Sequence, residues 1–260
     1  MSGCARYSLE QLSLSGNQIN GTLPDFSIFT SMKTLYLSHN KINGEIPKEI
    51  QFPPTLECLY MDSNSLKGVL TDYHFANMSK LQHLGLSNNS LRLAFTQNWV
   101  PPFQLLTIEL GSCKLGPTFP KWLESQEKFV NIDISNATIS DIIPEWFWAK
   151  LPLQKVMTMD ISNNNLQGTI PNVSSTYVST SMLLGSNQFE GSIPLFLRNS
   201  HILDLSKNKF SNHLSFLCRD GTISIQEQLD ISYNHLSGDI PDCWRQMSSL
   251  VYLDLSHNNF

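Results

Sequence analysis

The chain has 260 residues and a formal net charge of -5, and its hydrophobic content of 41% is enough to build a sizeable core. The net negative charge and the scattered lysines and arginines argue against a nucleic-acid-binding surface. The sequence contains no apolar stretch typical of a signal peptide or of a membrane-spanning helix. Its five cysteines match neither a dense disulfide scaffold nor a CxxC zinc site.

One pattern, LxLxxNxL, recurs along the whole chain. It fits eleven times, at intervals of 21 to 27 residues, which is the period of leucine-rich repeats. We therefore predict a mainly β, α/β repeat solenoid over residues 1–260, shaped as a leucine-rich-repeat horseshoe or superhelix, with its last repeat incomplete. The first apolar position of the pattern falls at Leu12, Leu35, Leu59, Leu84, Ile108, Ile132, Met159, Met182, Leu203, Leu229 and Leu253.

Each LxL segment predicts a short strand, because its two apolar side chains point inward and the residues beside them point outward. Strands of successive repeats are expected to pair into a parallel sheet on the concave side. The asparagine that follows each strand should bond backbone groups that the turn leaves free. Cys113 and Ala137 replace this asparagine, and we expect the repeat of Ala137 to be locally weaker. The asparagines are Asn17, Asn40, Asn64, Asn89, Asn164, Asn187, Asn208, Asn234 and Asn258.

After the asparagine the repeats continue as xLxGxIP, for example LQGTIP at residues 166–171. Glycine permits a bend there, and proline ends a short extended piece without needing an N–H donor. The following segments should form an irregular or short-helical convex side. Four tryptophans fall in these segments, where we expect them to pack in the core: Trp122, Trp146, Trp148 and Trp244.

The xLxGxIP ending resembles the plant-specific subclass of leucine-rich repeats, and four longer stretches narrow the resemblance. They are NWVPPFQL (98–105), GSCKLGPTFPKWLESQ (111–126), SDIIPEWFW (140–148) and IPDCW (240–244). Together they resemble the ectodomains of plant receptor-like proteins, particularly the group with receptors for fungal ethylene-inducing xylanase. The resemblance covers essentially the whole chain.

This resemblance implies a cell-surface receptor of plant defence that lacks a kinase domain and signals through receptor-kinase partners. Members of the family carry a signal peptide, cysteine-bearing caps, more than twenty repeats with an island, one membrane helix and a short tail. The 260 residues contain no caps, island, membrane helix or kinase domain. We therefore expect one part of a longer, plasma-membrane receptor facing the outside of the cell, attached to the membrane only through sequence beyond this chain.

Outward positions of the predicted strands are the candidate ligand-binding surface, because open solenoids usually bind through this face. They form an aromatic zone and an acidic zone, which suit a protein or peptide ligand with basic groups. The alternative is that the aspartates are a solvated stripe set by the LDLS consensus. The candidate residues are Tyr36, Tyr60, His83, Glu109, Asp133, Asp160, Asp204, Asp230, Tyr252 and Asp254.

Cys218 and Cys243 lie at nearly equal distances from the starts of their repeats, Leu203 and Leu229. Equal offsets place them on adjacent turns, where the strand spacing fits the Cα separation of a disulfide. We predict a bridge between them if the protein is extracellular. Five N-x-S/T triplets are candidate glycosylation sites, although chance alone would produce several in this composition. They begin at Asn20, Asn77, Asn88, Asn136 and Asn172.

The sequence contains none of the HExxH, GxSxG, Walker A or kinase signatures, so we expect no enzymatic activity. We likewise expect no cofactor, no metal and no nucleic acid. The favoured hypothesis is a ligand-recognition segment of a defence receptor-like protein. The alternatives are part of a developmental receptor kinase, a secreted inhibitor similar to polygalacturonase-inhibiting proteins, or a truncated product without activity.

Overall fold

A computed structural model describes residues 5–174, 178–218 and 223–260. The chain divides into two compact units. Unit 1 comprises Met1–Gly116 and Pro120–Thr138, and unit 2 comprises Pro117–Phe119 and Ile139–Phe260. Both are stacks of short parallel strands with one principal strand per repeat, so the predicted mainly β leucine-rich-repeat solenoid is confirmed as the fold class.

Unit 1 contains ten strands among its described residues. The principal strands β1, β3, β5, β7, β9 and β10 pair in that order, always in parallel. The bounds are β1 Gln11–Ser13, β2 Asn20–Gly21, β3 Thr34–Tyr36, β4 Lys41–Glu45, β5 Cys58–Tyr60, β6 Ser65–Leu70, β7 His83–Gly85, β8 Ser90–Leu93, β9 Thr107–Glu109 and β10 Asn131–Asp133.

Unit 2 contains nine strands in its described part. The principal strands β11, β13, β15, β17 and β19 pair in parallel and in chain order. The bounds are β11 Thr158–Asp160, β12 Gln167–Thr169, β13 Ser179–Leu183, β14 Gln188–Gly191, β15 Ser200–Asp204, β16 Lys209–Asn212, β17 Gln228–Asp230, β18 His235–Leu236 and β19 Tyr252–Asp254.

Helical segments are short. Among the described residues, three α-helices occupy Ala5–Ser8 (α1), Asp72–Phe75 (α2) and Glu145–Gln154 (α3), and short 3₁₀ helices occupy Lys121–Ser125, Leu195–Arg198, Ser215–Leu217 and Trp244–Gln246. Within the described ranges, none of these helices has the length and apolar character needed to cross a membrane.

The strand register follows the repeat of the sequence. In unit 1 the first apolar positions are direct neighbours, Leu35 beside Leu59 and Leu59 beside Leu84. Leu35 and Leu59 are fully buried, whereas Tyr36 and Tyr60, each of which lies between two inward apolar residues, remain partly exposed. The alternation of a strand thus places leucine in the core and leaves the residue after it on the outer face.

The asparagine bonds backbone groups of its turn, as predicted, and in most repeats it also joins the turn to the preceding repeat. Asn64 donates from Nδ2 to the carbonyl oxygens of Leu37 (3.0 Å) and Met61 (3.1 Å), and its Oδ1 accepts the Ile42 N–H at 3.0 Å. One side chain therefore satisfies backbone groups of its own turn and of the preceding repeat. The same pattern recurs at Asn40, Asn89, Asn187, Asn208, Asn234 and Asn258.

The two departures from asparagine are accommodated differently. Cys113 is buried and its thiol lies 3.4 Å from the Leu86 carbonyl oxygen, in the place of one amide bond. At Ala137 the backbone carbonyl accepts the N–H groups of Leu115 (3.0 Å) and Gly116 (3.1 Å). The Ala137 carbonyl thus accepts a backbone N–H of the preceding repeat that an asparagine Oδ1 atom accepts in other repeats. The local weakness of this repeat stays a prediction.

A second set of strands accompanies the principal ones, which the sequence analysis described only as short extended pieces. β2, β4, β6 and β8 form it in unit 1, and β12, β14, β16 and β18 form it in unit 2. Glycine in the fourth position of these segments bends the strand in the left-handed region, with φ of 112° at Gly68 in SLKGVL. A Cβ at Gly68 would lie 3.3 Å from the Ile46 backbone nitrogen, so glycine serves both the bend and the close approach.

The helical segments between the strands pack aromatic residues against the core. Trp122 and Trp148 are buried, which confirms their predicted packing role, while Trp146 and Trp244 are partly exposed. Trp148 lies edge-on to Phe189 with ring centroids 6.3 Å apart. The aromatic side chains therefore fill the space that the irregular segments leave behind the sheet.

Cys218 and Cys243 are joined by a disulfide, with their Cα atoms 5.8 Å apart and a sequence separation of 25. Both residues follow principal strands of adjacent repeats, β15 and β17. Cys58 and Cys113 are free thiols.

We predict that Asn89→Ala destabilises the protein by about 2–4 kcal/mol, because buried backbone groups of two repeats lose their partners. Urea unfolding measures the change. The matched control is Asn17→Ala, whose exposed amide donates only within its own turn and whose loss should cost less than about 1 kcal/mol. Equal losses in the two variants would contradict the bridging role of the buried asparagine.

We predict that replacing both Cys218 and Cys243 by serine lowers the free energy of unfolding by about 3 kcal/mol, since the bridge closes a loop in the unfolded chain. Unfolding with and without reductant measures this loss, and Cys58→Ser serves as the control. A thiol titration of the secreted, denatured protein should find neither Cys218 nor Cys243 reactive before reduction; finding both free would overturn the prediction.

Candidate ligand-binding face

The outer face of unit 1 is the solvent-exposed side of its principal strands. From β3 to β10, each principal strand presents its last residue on this face. Tyr36 pairs with Tyr60, Tyr60 with Gly85, and Gly85 with Glu109 across adjacent parallel strands. Asp133 completes the row beside Glu109. Parallel strands lie about 4.8 Å apart, so these five positions form one continuous line across the sheet.

Two tyrosines form an aromatic surface on this face. The rings of Tyr36 and Tyr60 have centroids 5.5 Å apart and are tilted by 35°. The ring of Tyr60 also leans over the next strand, because a Cβ at Gly85 would lie only 2.3 Å from its Cδ1 atom. Glycine at position 85 is therefore what allows the tyrosine ring to lie there. Burial, and then the charge of Glu109, raise the pKa of Tyr60 to about 12, so its hydroxyl stays protonated at neutral pH.

His83 lies on the same face, at the start of strand β7. Its Nδ1 is 3.0 Å from the Thr107 hydroxyl on the neighbouring strand, and the ring is partly exposed. Cys58 occupies the equivalent position one strand earlier. Burial raises the pKa of this thiol, which keeps it in the less reactive protonated form.

Acidic residues adjoin the aromatic surface in unit 1. Burial, and then the charges of Asp62 and Asp133, raise the pKa of Glu109. Asp62 was not among the predicted site residues; it follows the second apolar residue of its repeat and accepts a hydrogen bond from the Ser38 hydroxyl. The sequence feature that could have identified Asp62 is its position after the second apolar residue in LYMDSN, where the preceding repeat, LYLSHN, has Ser38. The cluster Glu109, Asp62 and Asp133 is negatively charged, and a cation placed there would relieve the mutual repulsion.

The predicted aspartates share a local structural contact. Each accepts, through Oδ1, the backbone N–H of the serine two residues later, at 2.8–2.9 Å. This is an Asx-type turn that holds the end of the strand, and its sequence signal is the D-x-S spacing. The contact occurs at Asp133, Asp160, Asp204, Asp230 and Asp254.

In unit 2 the outer row is acidic. Asp204 pairs with Asp230, and Asp230 pairs with Asp254, on adjacent strands. Tyr252 lies on the last strand and is 48% exposed. The charge of Asp230, followed by smaller effects of burial and Asp254, raises the pKa of Tyr252. The structure therefore brings Tyr252 together with three of the predicted aspartates, while Asp160 is separated from them by the strand of Leu183.

The asparagines of all five N-x-S/T triplets are exposed: Asn20, Asn77, Asn88, Asn136 and Asn172. Asn88 and Asn136 occupy the same left-handed position of their repeats, with φ of 56° and 49°. Over the described residues, histidine, cysteine and carboxylate side chains form no group of three or more that could hold a metal ion.

Comparison with known families finds the leucine-rich repeat in separate copies along the chain. A model described as Leucine Rich Repeat matches residues 8–27, 31–52, 155–176 and 227–247, and a model described as Leucine Rich repeat matches residues 246–260. These matches fall at both ends and in the middle of the chain, in agreement with the strands.

The chain is 43% identical over 189 residues to "Receptor-like protein EIX2" of Solanum lycopersicum, an alignment that covers 72% of this chain and 18% of that protein. It thus spans about a fifth of the length of this relative. Among solved structures, the PEPR1–AtPEP1 structure aligns with a TM-score of 0.67 at 22% identity, covering 98% of this chain and 39% of that one.

A second solved structure is that of the Arabidopsis receptor kinase HAESA with the peptide hormone IDA and the co-receptor SERK1. It aligns with a TM-score of 0.57 at 23% identity, over 96% of this chain and 54% of that chain. At these identities the structural matches show the fold alone. The repeats, the parallel strands and the 43% identity together assign this chain to the plant leucine-rich-repeat receptor-like proteins, in the group of EIX2.

Proposed function

We propose that this chain is a ligand-recognition segment of a plant cell-surface receptor-like protein that acts in defence signalling. It binds a protein or peptide ligand through the outer face of its principal strands and works with a receptor-kinase partner. The proposal is supported by the identity with Receptor-like protein EIX2 and by the HAESA complex, which contains a peptide hormone and a co-receptor on the same fold.

The observation that carries the proposal is the aromatic surface of Tyr36 and Tyr60 on the outer face of unit 1. Two adjacent, partly exposed tyrosine rings present a large apolar area with hydroxyl groups at its edge. Tyrosine is enriched among the residues that dominate binding energy in protein interfaces, because its ring loses little entropy on burial. Gly85 widens the surface by leaving room for the ring of Tyr60.

The neighbouring carboxylates favour a ligand with a basic group. Burial, and then the nearby charges of Asp62 and Asp133, raise the pKa of Glu109 and so disfavour its charged form in the free protein. A lysine or arginine side chain of a ligand would offset these charges, and its aliphatic part could lie on the tyrosine rings. We propose the same role for the aspartate row and Tyr252 of unit 2.

We propose an extracellular location at the plasma membrane. The disulfide of Cys218 and Cys243 supports an oxidising compartment, where such bonds persist. The exposure of all five N-x-S/T asparagines is compatible with glycosylation there. The function is binding and not catalysis, because an open sheet face gives no water-excluding cleft in which a reaction could be assisted.

We predict that replacing both Tyr36 and Tyr60 by alanine weakens ligand binding at least tenfold, because two rings of the contact surface are lost. The measurement is a titration of the secreted chain with a purified fungal ethylene-inducing xylanase, the ligand class of the receptor group that the sequence resembles. Unfolding curves of the variant should remain cooperative, since both side chains are partly exposed.

The matched control is Tyr73→Ala, which removes an equally polar ring from the exposed surface of α2, away from the strand face. Its affinity should equal that of the unchanged chain. Equal binding by the double tyrosine variant, or no binding of the xylanase by the unchanged chain, would contradict the proposal.

We predict that Glu109→Gln stabilises the free protein at pH 7 while weakening its binding of a basic ligand. The folded-state pKa of Glu109 is raised above 4.5, so its charge opposes folding once the pH exceeds that pKa. The gain at pH 7 should be less than about 1 kcal/mol, because the group is partly solvated, and it should vanish below pH 4.5. Urea unfolding across this pH range tests the sign; Glu49→Gln, on the exposed surface, is the control and should show no such trend.

A further inference from the structure

A concavity of about 660 Å³ opens on the flank of unit 1, beside the outer face. Its size falls in the range of ligand pockets in proteins. Gln82 and Leu106 line it and directly precede His83 and Thr107, the hydrogen-bonded pair at the start of strands β7 and β9. The cavity therefore adjoins the tyrosine-bearing face but is made by different residues.

The cavity is built by the stretch NWVPPFQL, which the proposed function does not otherwise use. Pro101, Pro102 and Phe103 form part of its lining. Behind them, Phe103 packs against Trp99 with ring centroids 6.0 Å apart, and Trp99 packs against Phe95 at 4.3 Å. This aromatic cluster gives the cavity a rigid apolar base.

Two glutamines fix the wall to the next repeat. Gln104 donates to the Ser125 carbonyl oxygen and accepts the Glu127 N–H, both at 2.8 Å. The fully buried Gln126 accepts the Leu105 N–H at 2.9 Å through its Oε1 atom. Because both glutamine side chains are held by backbone groups of the adjacent repeat, the shape of the cavity exists before any ligand binds, which lowers the entropic cost of binding.

The lining carries a net positive charge, in contrast to the chain as a whole. Lys80 and Lys128 occupy the same position of their repeats, on either side of the repeat of Gln104. Their Cα atoms are thus roughly 10 Å apart, twice the spacing of parallel strands. Both are exposed, and in the described part of the chain neither forms an ion pair.

One carboxylate also lines the opening, that of Glu57. Its charge acts on Lys33, whose pKa is raised first by the hydrogen bond and charge of Glu10 and to a smaller extent by Glu57. The remaining lining residues carry no charge, so the lining has two positive charges and one negative charge. The negative charge, that of Glu57, is also near Lys33. The balance favours an anion.

We propose that this cavity is a second ligand subsite, which takes an apolar group bearing a carboxylate. The apolar part packs on Pro101, Phe103 and Leu106, and the carboxylate lies between Lys80 and Lys128. The inference rests on the proposed function for the source of this group, an acidic residue next to an apolar one in the peptide or protein ligand. With the acidic cluster on the adjoining face, the subsite orients a ligand whose basic part lies over Glu109 and whose acidic part enters the cavity.

The test uses 2-naphthoate as the probe and its neutral amide, 2-naphthamide, as the comparison, with binding measured by ligand-observed NMR. All proteins carry Asn77→Gln, because a glycan there would lie two residues from Ser79 at the lining. The unchanged site should bind naphthoate about five-fold more tightly than naphthamide, as expected for partly exposed ion pairs. Lys80→Gln with Lys128→Gln should remove this preference and leave naphthamide binding as it was.

The matched control is Lys48→Gln with Lys121→Gln, which removes the same charge from exposed lysines outside the cavity. It should keep the preference. Pro102→Glu adds a carboxylate at an exposed lining position, so this variant should lose the preference for naphthoate without a change in the core. Equal binding of the two probes by the unchanged site, or an unaltered preference in the Lys80 and Lys128 variant, would overturn the proposal.

The assay contains no receptor ligand, so its outcome is independent of the xylanase titration. The variant with alanine at positions 36 and 60 should still prefer naphthoate about five-fold, because neither tyrosine lines the cavity. Loss of the preference in that variant would show that the probe binds on the outer face and would refute a separate subsite.

Discussion

The structure depends on the asparagine side chains that join most repeats to the repeat before them. At the turn after a principal strand, several buried backbone groups need hydrogen-bond partners that the pairing of strands does not supply. The amide of Asn64 bonds carbonyl groups of two successive repeats and accepts an N–H from the earlier one. A hydrophobic side chain could fill the same space, but it would leave these groups unsatisfied at a cost of about 1–3 kcal/mol each.

This bridge also sets the outer face. Because every repeat is held to its neighbour in the same register, outward side chains form straight rows at the spacing of parallel strands. Large side chains in such a row crowd each other, and a glycine in an adjacent repeat gives them room. A Cβ at Gly85 would meet the ring of Tyr60, and a Cβ at Gly111 would lie 2.4 Å from Oδ2 of Asp133. The size of a side chain in one repeat thus limits where the side chain in the adjacent repeat can lie.

Much of the fold could be read from the sequence because the repeat encodes it locally. The LxL alternation predicted the buried leucines, and the recurring asparagine predicted side-chain hydrogen bonds to the backbone of the turn, although not that these bonds reach the preceding repeat. The second set of strands was harder, because two to six residues around a glycine carry little periodic signal and their pairing partners lie in other repeats. The Asx turns of the aspartates were missed for a different reason: the D-x-S spacing was present, but it was interpreted only as an outward charge.

The sequence by itself determined the repeat, the inward and outward residues and the family, since each of these depends on residue type at a fixed period. Only the tertiary structure decided how outward residues meet: the tilt of Tyr36 against Tyr60, the closeness of Asp62 to Glu109, and the cavity behind NWVPPFQL. These features arise between residues more than twenty positions apart, where side-chain size on one repeat limits the next. Packing between repeats has no period in the sequence, and so it could be seen only after folding.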